Sequence, residues 1–348
     1  MKVVYIITSR NEKILHIGPA LENLGLEGVM VPTDSFHTTC AYWEHKLDKW
    51  GFHGRFDHYV QRQSQLIMDT IDRERPDIVL FVNTGNVQFI EDYVRRLPER
   101  CHLAMYLVDS ASGNEEGEAR RLAFPGNHIF VYEYSDVAYF ARLGIKAAYC
   151  PVGYNADYER PLQREKSLDI VFVGSPNGER LAYLEAIAEH GDKQGWKMYF
   201  VGPFYEERYF WKKMSFAAKH PVLAKYIANQ SLPPKEVAEL YAQAKICLNL
   251  QSNDGDNLNP RTFEILAAGG FELINRHKSY HGLVEPGIDL VDFEGQQELL
   301  QQIEYYLAHE QERLAIAENG QAKAKGRLDM ETSLRMVLGL KDMEKNEQ

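Results

Sequence analysis

The stretch Asp256–Gly270, DNLNPRTFEILAAGG, decides how the second half of this chain is read. Asn259 has the character of a helix N-cap, and Pro260 takes the first helical position, where its missing N–H is not needed. Arg261 and Thr262 complete the first turn. Glu264 follows Arg261 by one turn, on the same side of the helix. Phe263, Leu266 and Ala267 have the spacing of a buried stripe, Gly269-Gly270 ends the helix, and the apolar run Phe271–Ile274 begins a strand. A short helix with free N–H groups, an arginine and a carboxylate at one end suits a phosphate beside a sugar hydroxyl. An ordinary buried helix with an exposed Arg–Glu pair has the same residues, and the stretch alone admits both readings.

Working outward, Ile246–Leu250 (ICLNL) is a strand, preceded by a helix that Pro233-Pro234 starts and whose buried stripe is Val237, Leu240, Tyr241 and Ala244. Leu168–Val173 (LDIVFV) is another strand. It ends in Gly174-Ser175-Pro176-Asn177-Gly178, and Arg180 opens a helix carrying Leu181, Leu184, Ile187 and Ala188 on one face. A glycine-containing turn into a helix is a plausible anion site, with Arg180 reaching a phosphate. It is neither a Walker A loop nor a G-x-G-x-x-G fingerprint. Lys197–Val201 is a strand, and the aromatic, basic segment Phe204–Lys225 is helical in part, its Lys and Arg residues reading as a solvated face. After Ile274 the chain leads to a polar, strongly helical stretch from Gln296 to about Lys341.

The first half repeats the rhythm. Strands are expected at Val3–Thr8, Val29–Val31, Asp77–Asn83, His102–Val108, Ile129–Tyr132 and Lys146–Cys150. Helical patterns run to Leu24, from Tyr59 to Arg73, around Gln88–Leu97 and from Asp136 to Leu143. Alternation of this kind implies parallel sheets with helices on both faces, which bind ligands beyond the carboxyl ends of their strands. The loops to watch are Thr8–Gly18, Asn83–Asn86 and Asp109–Gly113. His16 could transfer a proton or simply pack, Gly18 could let backbone approach a ligand, and Asp109 could act on substrate or cap the next segment. His37, Trp43, His45, Trp50 and His53 match no metal motif, so no metal site is expected there. Ser112–Arg121 reads as a polar surface loop, and Cys150–Pro161 as a linker. The expected division is an N-terminal domain over 1–155, a C-terminal domain over 156–325, and a helical segment over 326–348 packing back on the first domain.

Composition narrows the function. The chain has 348 residues, 45% hydrophobic and 26% charged, which is ordinary for globular proteins. Its formal net charge of -11 argues against a general binder of nucleic acid or anionic membrane. Cys40, Cys101, Cys150 and Cys247 form no CxxC pair and read as reduced core thiols. With no signal peptide and no apolar run of membrane-spanning length, a cytoplasmic protein is expected.

The elements between Ala228 and Asp292 resemble the nucleotide-sugar-binding half of GT-B glycosyltransferases, particularly the group that includes the spore-maturation protein CgeB. They come in the same order: LPPKEVAELYAQA, KICLNLQ, the loop to NPRTFEILAAGG, then FELINRH and LVEPGIDLVDF. The resemblance implies an α/β GT-B fold of two Rossmann-like doubly wound domains with C-terminal helices. It also implies a transferase that moves a sugar from a nucleotide-diphosphate donor to an acceptor. Retaining members carry two glutamates spaced as Asp256 and Glu264 are here, the second hydrogen-bonding the donor ribose. By the same resemblance Arg261, and the Gly174-Ser175 turn with Arg180, face the diphosphate, Asn259 and Thr262 at the same helix start also bind the donor, and the loop Asn229–Leu232 meets the base.

A helix N-terminus with Arg261 can stabilise the leaving diphosphate without a metal, so retaining, metal-independent transfer is the expectation. Asp254 and Asp256, spaced D-G-D, leave a metal formally open. Asp109, His16 and Asp256 are the catalytic candidates, positioning acceptor or sugar, or supplying a general base if configuration inverts. No cofactor is expected beyond the nucleotide-sugar substrate, a UDP-sugar first. The acceptor is a glycan, protein or small molecule, with no nucleic acid, no membrane span, and a homodimer as the candidate assembly. The competing readings are a non-hydrolysing sugar-nucleotide epimerase and a degenerate GT-B-like binding protein.

Overall fold

The structure is a computed structural model and describes residues 1–33, 55–83, 91–111, 126–251 and 257–340. Cys40, the His/Trp group from His37 to His53, the loop 112–121, Asp254 and Asp256 lie outside the described residues. The chain divides into two units, Met1–Val152 with Met330–Gln348, and Gly153–Asp329.

In the first unit, strands β1 (Lys2–Ile7), β2 (Glu27–Pro32), β3 (Ile78–Val82), β4 (His102–Leu107), β5 (Asn127–Val131) and β6 (Ala147–Tyr149) form one sheet in the order β2-β1-β3-β4-β5-β6. Every pairing is parallel. The strands read as apolar runs because both faces are covered. Val4, Ile6, Val79, Phe81, Leu103 and Met105 pack on one side. Val3, Tyr5, Ile7, Leu80, Ala104 and Tyr106 pack on the other, with Met330, Leu334 and Val337.

The pattern expected to be one helix up to Leu24 is two, α1 (Ser9–Leu15) and α2 (Ile17–Asn23), because His16 adopts a left-handed conformation with φ 53°. Pro19 has no N–H to continue the ladder, and the Gly18 N–H instead donates to Glu12 Oε1 at 2.8 Å. Three further helices follow: α3 (Arg55–Glu74), α4 (Glu91–Arg96) and α5 (Tyr134–Arg142).

In the second unit, β7 (Leu168–Val173), β8 (Met198–Val201), β9 (Ile227–Ala228), β10 (Ala244–Asn249), β11 (Glu272–Asn275) and β12 (Val291–Phe293) form an all-parallel sheet in the order β12-β11-β10-β7-β8-β9. This is the doubly wound order, and the chain reverses direction across the sheet between β7 and β10. Ligands of open α/β sheets bind at such a point, outside the carboxyl ends of the strands. The helices are α6 (Glu179–Gln194), α7 (Phe210–Lys219), α8 (Pro234–Gln243), α9 (Pro260–Ala267), α10 (Gly295–Ala308) and α11 (Glu310–Ala324), and α12 (Met330–Val337) belongs to the first unit. The polar, strongly helical stretch expected from Gln296 consists of three helices. Left-handed Gly326 (φ 67°) lies between α11 and α12, where a single rod would have no turn.

The helix of the opening stretch ends as its glycines require. Gly269 is left-handed (φ 67°), its N–H donates to the Leu266 carbonyl at 3.0 Å, and Gly270 N–H donates to the Ile265 carbonyl at 2.9 Å. This is a Schellman stop. Gly270 also leaves no room for a side chain, since a β-carbon there falls 2.9 Å from Cys247 Sγ. Replacing Gly269 with alanine should lower stability by about 1–2 kcal/mol, the left-handed penalty of an L-residue. An unchanged unfolding midpoint in urea would show that the turn is not under that constraint.

Candidate functional site

The carboxyl ends of β7 and β10 are neighbours, and the residues that follow them converge. After β7 comes the Gly174-Ser175 turn. After β10 comes a loop leading to α9, whose N-cap is Asn259 and whose first residue is Pro260. Arg261, one residue further, turns its guanidinium onto the β7 turn. A β-carbon on Gly174 would sit only 3.2 Å from Arg261 Nη1. Gly202, at the end of β8, presses on the same turn from the other side. A β-carbon there would lie 1.9 Å from the Gly174 carbonyl oxygen, so only glycine is accommodated.

Arg180, in the first turn of α6, reaches back and donates from Nη1 to the Ser175 carbonyl at 3.1 Å. Burial and the neighbouring Arg261 charge push its pKa down. Two half-buried guanidinium groups thus share one glycine turn and repel each other. The Nε atoms of both are buried and without a hydrogen-bond partner. Such donors carry a free-energy cost that an anion would relieve.

Glu264 lies one turn along α9. Burial raises its pKa, while the Arg261 charge and a hydrogen bond from the Tyr158 hydroxyl pull the other way. Burial likewise disfavours the Arg261 charge, but Tyr241 and Glu264 beside it more than compensate and leave its pKa raised. The Tyr241 hydroxyl faces the guanidinium from α8 yet makes no well-formed hydrogen bond. Arg261 and Glu264 are both only partly covered, so each keeps an accessible edge.

Beneath this surface lies a polar network that holds the start of α9. Asn249 Nδ2 is within hydrogen-bond distance of Asn259 Oδ1 (3.0 Å), Thr262 Oγ1 (3.1 Å) and Glu272 Oε1 (2.7 Å). Thr262 Oγ1 donates to Glu272 Oε1 at 2.9 Å, and Asn259 Nδ2 donates to Asn249 Oδ1 at 3.2 Å. Asn249, Thr262 and Glu272 are fully buried. Burial raises the Glu272 pKa to about 7, against hydrogen bonds from Asn249 and Thr262 that favour its charged form. Its Oε2 has no partner.

The structure therefore brings Gly174, Ser175, Arg180, Arg261 and Glu264 together. It places two expected contacts differently. Thr262 is spent on Glu272 and Asn249 beneath the surface, because its position in the first turn faces the sheet. Asn259 caps α9 by backbone position only, its side chain being exchanged with Asn249. Asn229 follows β9, where it accepts from Tyr205 N–H at 2.9 Å and donates to Glu207 at 3.0 Å. Leu232 packs at the edge of the cluster containing Tyr158, Val237 and Phe263.

His16 and Asp109 belong to the first unit. Asp109 is exposed after β4 and accepts a hydrogen bond from the side chain of Asn83, which also receives the backbone N–H groups of Val108 (2.8 Å) and Asp109 (3.1 Å). Gly18 packs against its own unit, a β-carbon there falling 2.7 Å from the Tyr5 hydroxyl. Among the described residues no group of three or more His, Cys, Asp or Glu side chains could hold a metal ion.

Sequence reading missed Tyr158, Tyr241, Asn249 and Glu272. A signal existed for the last two, since a carboxylate inside FELIN and an amide inside ICLNL are polar groups in otherwise apolar buried strands, which must be paired. For Glu272 the sign of the pH effect follows from its raised pKa. The folded state holds its proton more tightly than the unfolded chain, so stability is greatest at low pH and declines as pH rises from about 4.5 to about 7. The slope is at most about 1.4 kcal/mol per pH unit. Glu272→Gln should flatten that window in urea unfolding, and a variant that keeps the wild-type slope would assign the titration elsewhere.

No curated protein matches this chain by sequence. Several solved structures share its fold. A glycosyltransferase from Rickettsia africae ESF-5 is 13% identical, with 97% of each chain covered and a TM-score of 0.65. Anabaena Alr3699/HepE in complex with UDP-glucose is 13% identical, over 97% of this chain and 98% of that one, with a TM-score of 0.61. UDP-GlcNAc 2-epimerase from Neisseria meningitidis, bound to UDP-GlcNAc, is 12% identical, over 97% and 99%, with a TM-score of 0.59. These likenesses make the fold GT-B, with two Rossmann-like sheets and C-terminal helices. The family model described as Glycosyl transferase-like matches residues 180–338, from Arg180 through Arg261 and Glu264 into α12.

Proposed function

We propose that this protein is a nucleotide-sugar-dependent glycosyltransferase, with the donor held at the β7 and β10 ends of its second unit. The observation that carries the reading is the pair of half-buried guanidinium groups, Arg180 and Arg261, converging on one glycine turn with unpaired Nε donors. A diphosphate is the anion that such a pair suits, because two arginines can share its charge through directed N–H contacts. The partly covered Glu264 carboxylate beside Arg261 then accepts from the ribose hydroxyls, and the Asn229–Leu232 loop lies toward the base. UDP is the first candidate base, as in the Anabaena complex with UDP-glucose.

Cleaving the sugar–phosphate bond builds negative charge on the leaving diphosphate and an oxocarbenium-like centre on the sugar. Donors already in place for the growing charge lower that barrier without reorganising. Arg180 and Arg261 supply this charge stabilisation whichever way configuration goes, and in a retaining course the leaving phosphate takes the acceptor proton. Asp256, outside the described residues, is kept as a candidate by the family resemblance alone. No step is assigned to His16 or Asp109. A cytoplasmic location belongs to the same reading, and no helix among the described residues is long and apolar enough to cross a membrane.

The fold alone also suits a sugar-nucleotide epimerase, as the Neisseria structure shows for its own chain. The Glycosyl transferase-like family match favours transfer. A thermal-shift screen of UDP-, GDP-, ADP- and dTDP-sugars should find one donor class that raises the unfolding temperature. Arg261→Ala and Glu264→Ala should each weaken that donor by on the order of 1–3 kcal/mol, roughly 5- to 150-fold in affinity. Unaltered donor affinity in both variants would remove the site. Epimerised donor or free nucleotide released without any acceptor would turn the reading to the epimerase.

A further inference from the structure

The segment whose charges read as a solvated face has a second property in the folded chain. Phe210, Trp211 and Met214 of α7 are 72%, 53% and 65% exposed. Elsewhere among the described residues exposed large apolar side chains occur singly, as Met1, Ile14, Tyr134, Ile288, Tyr305 and Met336 do. Such scattered residues need no explanation, whereas a contiguous apolar face does.

At helical spacing Phe210, Trp211, Met214, Ala217 and Ala218 lie on one side of α7, and all are exposed. Phe216, the buried residue of the helix, faces the opposite way and anchors it to its own domain against Phe204 and His220. The apolar face therefore points away from the core that holds the helix. It is also ordered by its own aromatic contacts. The Tyr209 and Trp211 ring centroids are 4.7 Å apart, those of Phe210 and Trp211 are 5.6 Å apart, and the Arg208 guanidinium lies 5.6 Å from the Tyr209 ring.

Charge selects the partner. Arg208, Lys212, Lys213 and Lys219 fall between residues 208 and 219, where there is no acidic residue, in a chain whose net charge is -11. At about 100° per residue Lys219 and Lys213 lie on either side of the helix, between the apolar face and the Phe216 side, and both are exposed. Their long stems can therefore carry the ammonium groups toward a surface that the apolar face meets. An aromatic and methionine face bordered by lysines matches the interface of a lipid bilayer, where the rings sit at headgroup level and the cations meet anionic phosphates. The acidic remainder repels such a surface, but beyond about one Debye length (~8–10 Å) that repulsion is screened at physiological salt.

We propose that α7 is a peripheral docking element for an anionic phospholipid surface, with Phe210, Trp211 and Met214 inserted at the headgroup boundary and Lys212, Lys213 and Lys219 on the lipid charges. The inference is independent of the donor assignment.

The test is flotation of the full chain with phosphatidylcholine vesicles that either contain or lack phosphatidylserine. Wild-type protein should float with the phosphatidylserine vesicles, stay behind with pure phosphatidylcholine, and be released by high salt. Removing two charges (Lys212→Gln with Lys213→Gln) should lower partitioning roughly 25-fold, about fivefold per lysine. Phe210→Ser with Trp211→Ser should abolish flotation while leaving the unfolding temperature and any donor-induced shift as in wild type, since both side chains are exposed. Absence of wild-type flotation, equal binding to both vesicles, or wild-type flotation of the lysine variant would each overturn the proposal. So would a concentration-dependent dimer that only the Phe210/Trp211 variant loses, without flotation in wild type, because the face would then belong to a second copy of this chain.

Discussion

The second unit depends on how it holds one guanidinium. Arg261 is half-buried at the start of α9, with Tyr241 and Glu264 against it and the Gly174 turn beneath its Nη1. A charge in that position is stable only if partners offset its desolvation. Glu264 and the two tyrosines do so in part, and the unpaired Nε records what they leave undone. The same shortfall at Arg180 makes the pair unbalanced toward positive charge. That imbalance, local to a protein of net charge -11, is the physical basis for reading the place as a diphosphate site.

Holding Arg261 there requires that α9 start at a defined height above the sheet. The network of Asn249, Thr262 and Glu272 provides this by tying the end of β10 and the beginning of β11 to the first turn of the helix. Polar groups buried so completely are costly unless paired, and pairing makes their geometry specific. Gly269 and Gly270 complete the arrangement at the other end, stopping α9 and letting it lie on Cys247 of β10. The short helix is thus pinned at both ends, and the side chains its first turn exposes are the ones the proposed chemistry uses.

The membrane-facing role inferred for α7 and the donor role of α9 rest on different physics. One concerns an exposed apolar face, the other a charge imbalance at a glycine turn. They share a cause in the doubly wound order, which leaves the segments after each strand free to take on surface functions while the strands keep the core.

Periodicity and turn chemistry in the sequence determined most of the elements, including the strand LDIVFV, the proline-started helices α8 and α9, and the Gly269 stop. These are local properties of the chain, so neighbouring residues are enough to read them. Local reading fell short in two places. Left-handed His16 splits the first helical pattern in two, and Thr262 turns inward to Glu272. Arg261 and Glu264 were legible as a pair on one helix face, but their tyrosine partners were not, because Tyr158 and Tyr241 reach them from other elements. Strand order, which alone sets Gly174 beside α9, is a choice among pairings with similar apolar runs, and only packing of the whole sheet makes it. Exposure was equally out of reach. The sequence reads Phe204–Lys225 only as aromatic, basic and partly helical, and the fold shows that Phe216 is buried while Phe210, Trp211 and Met214 are exposed.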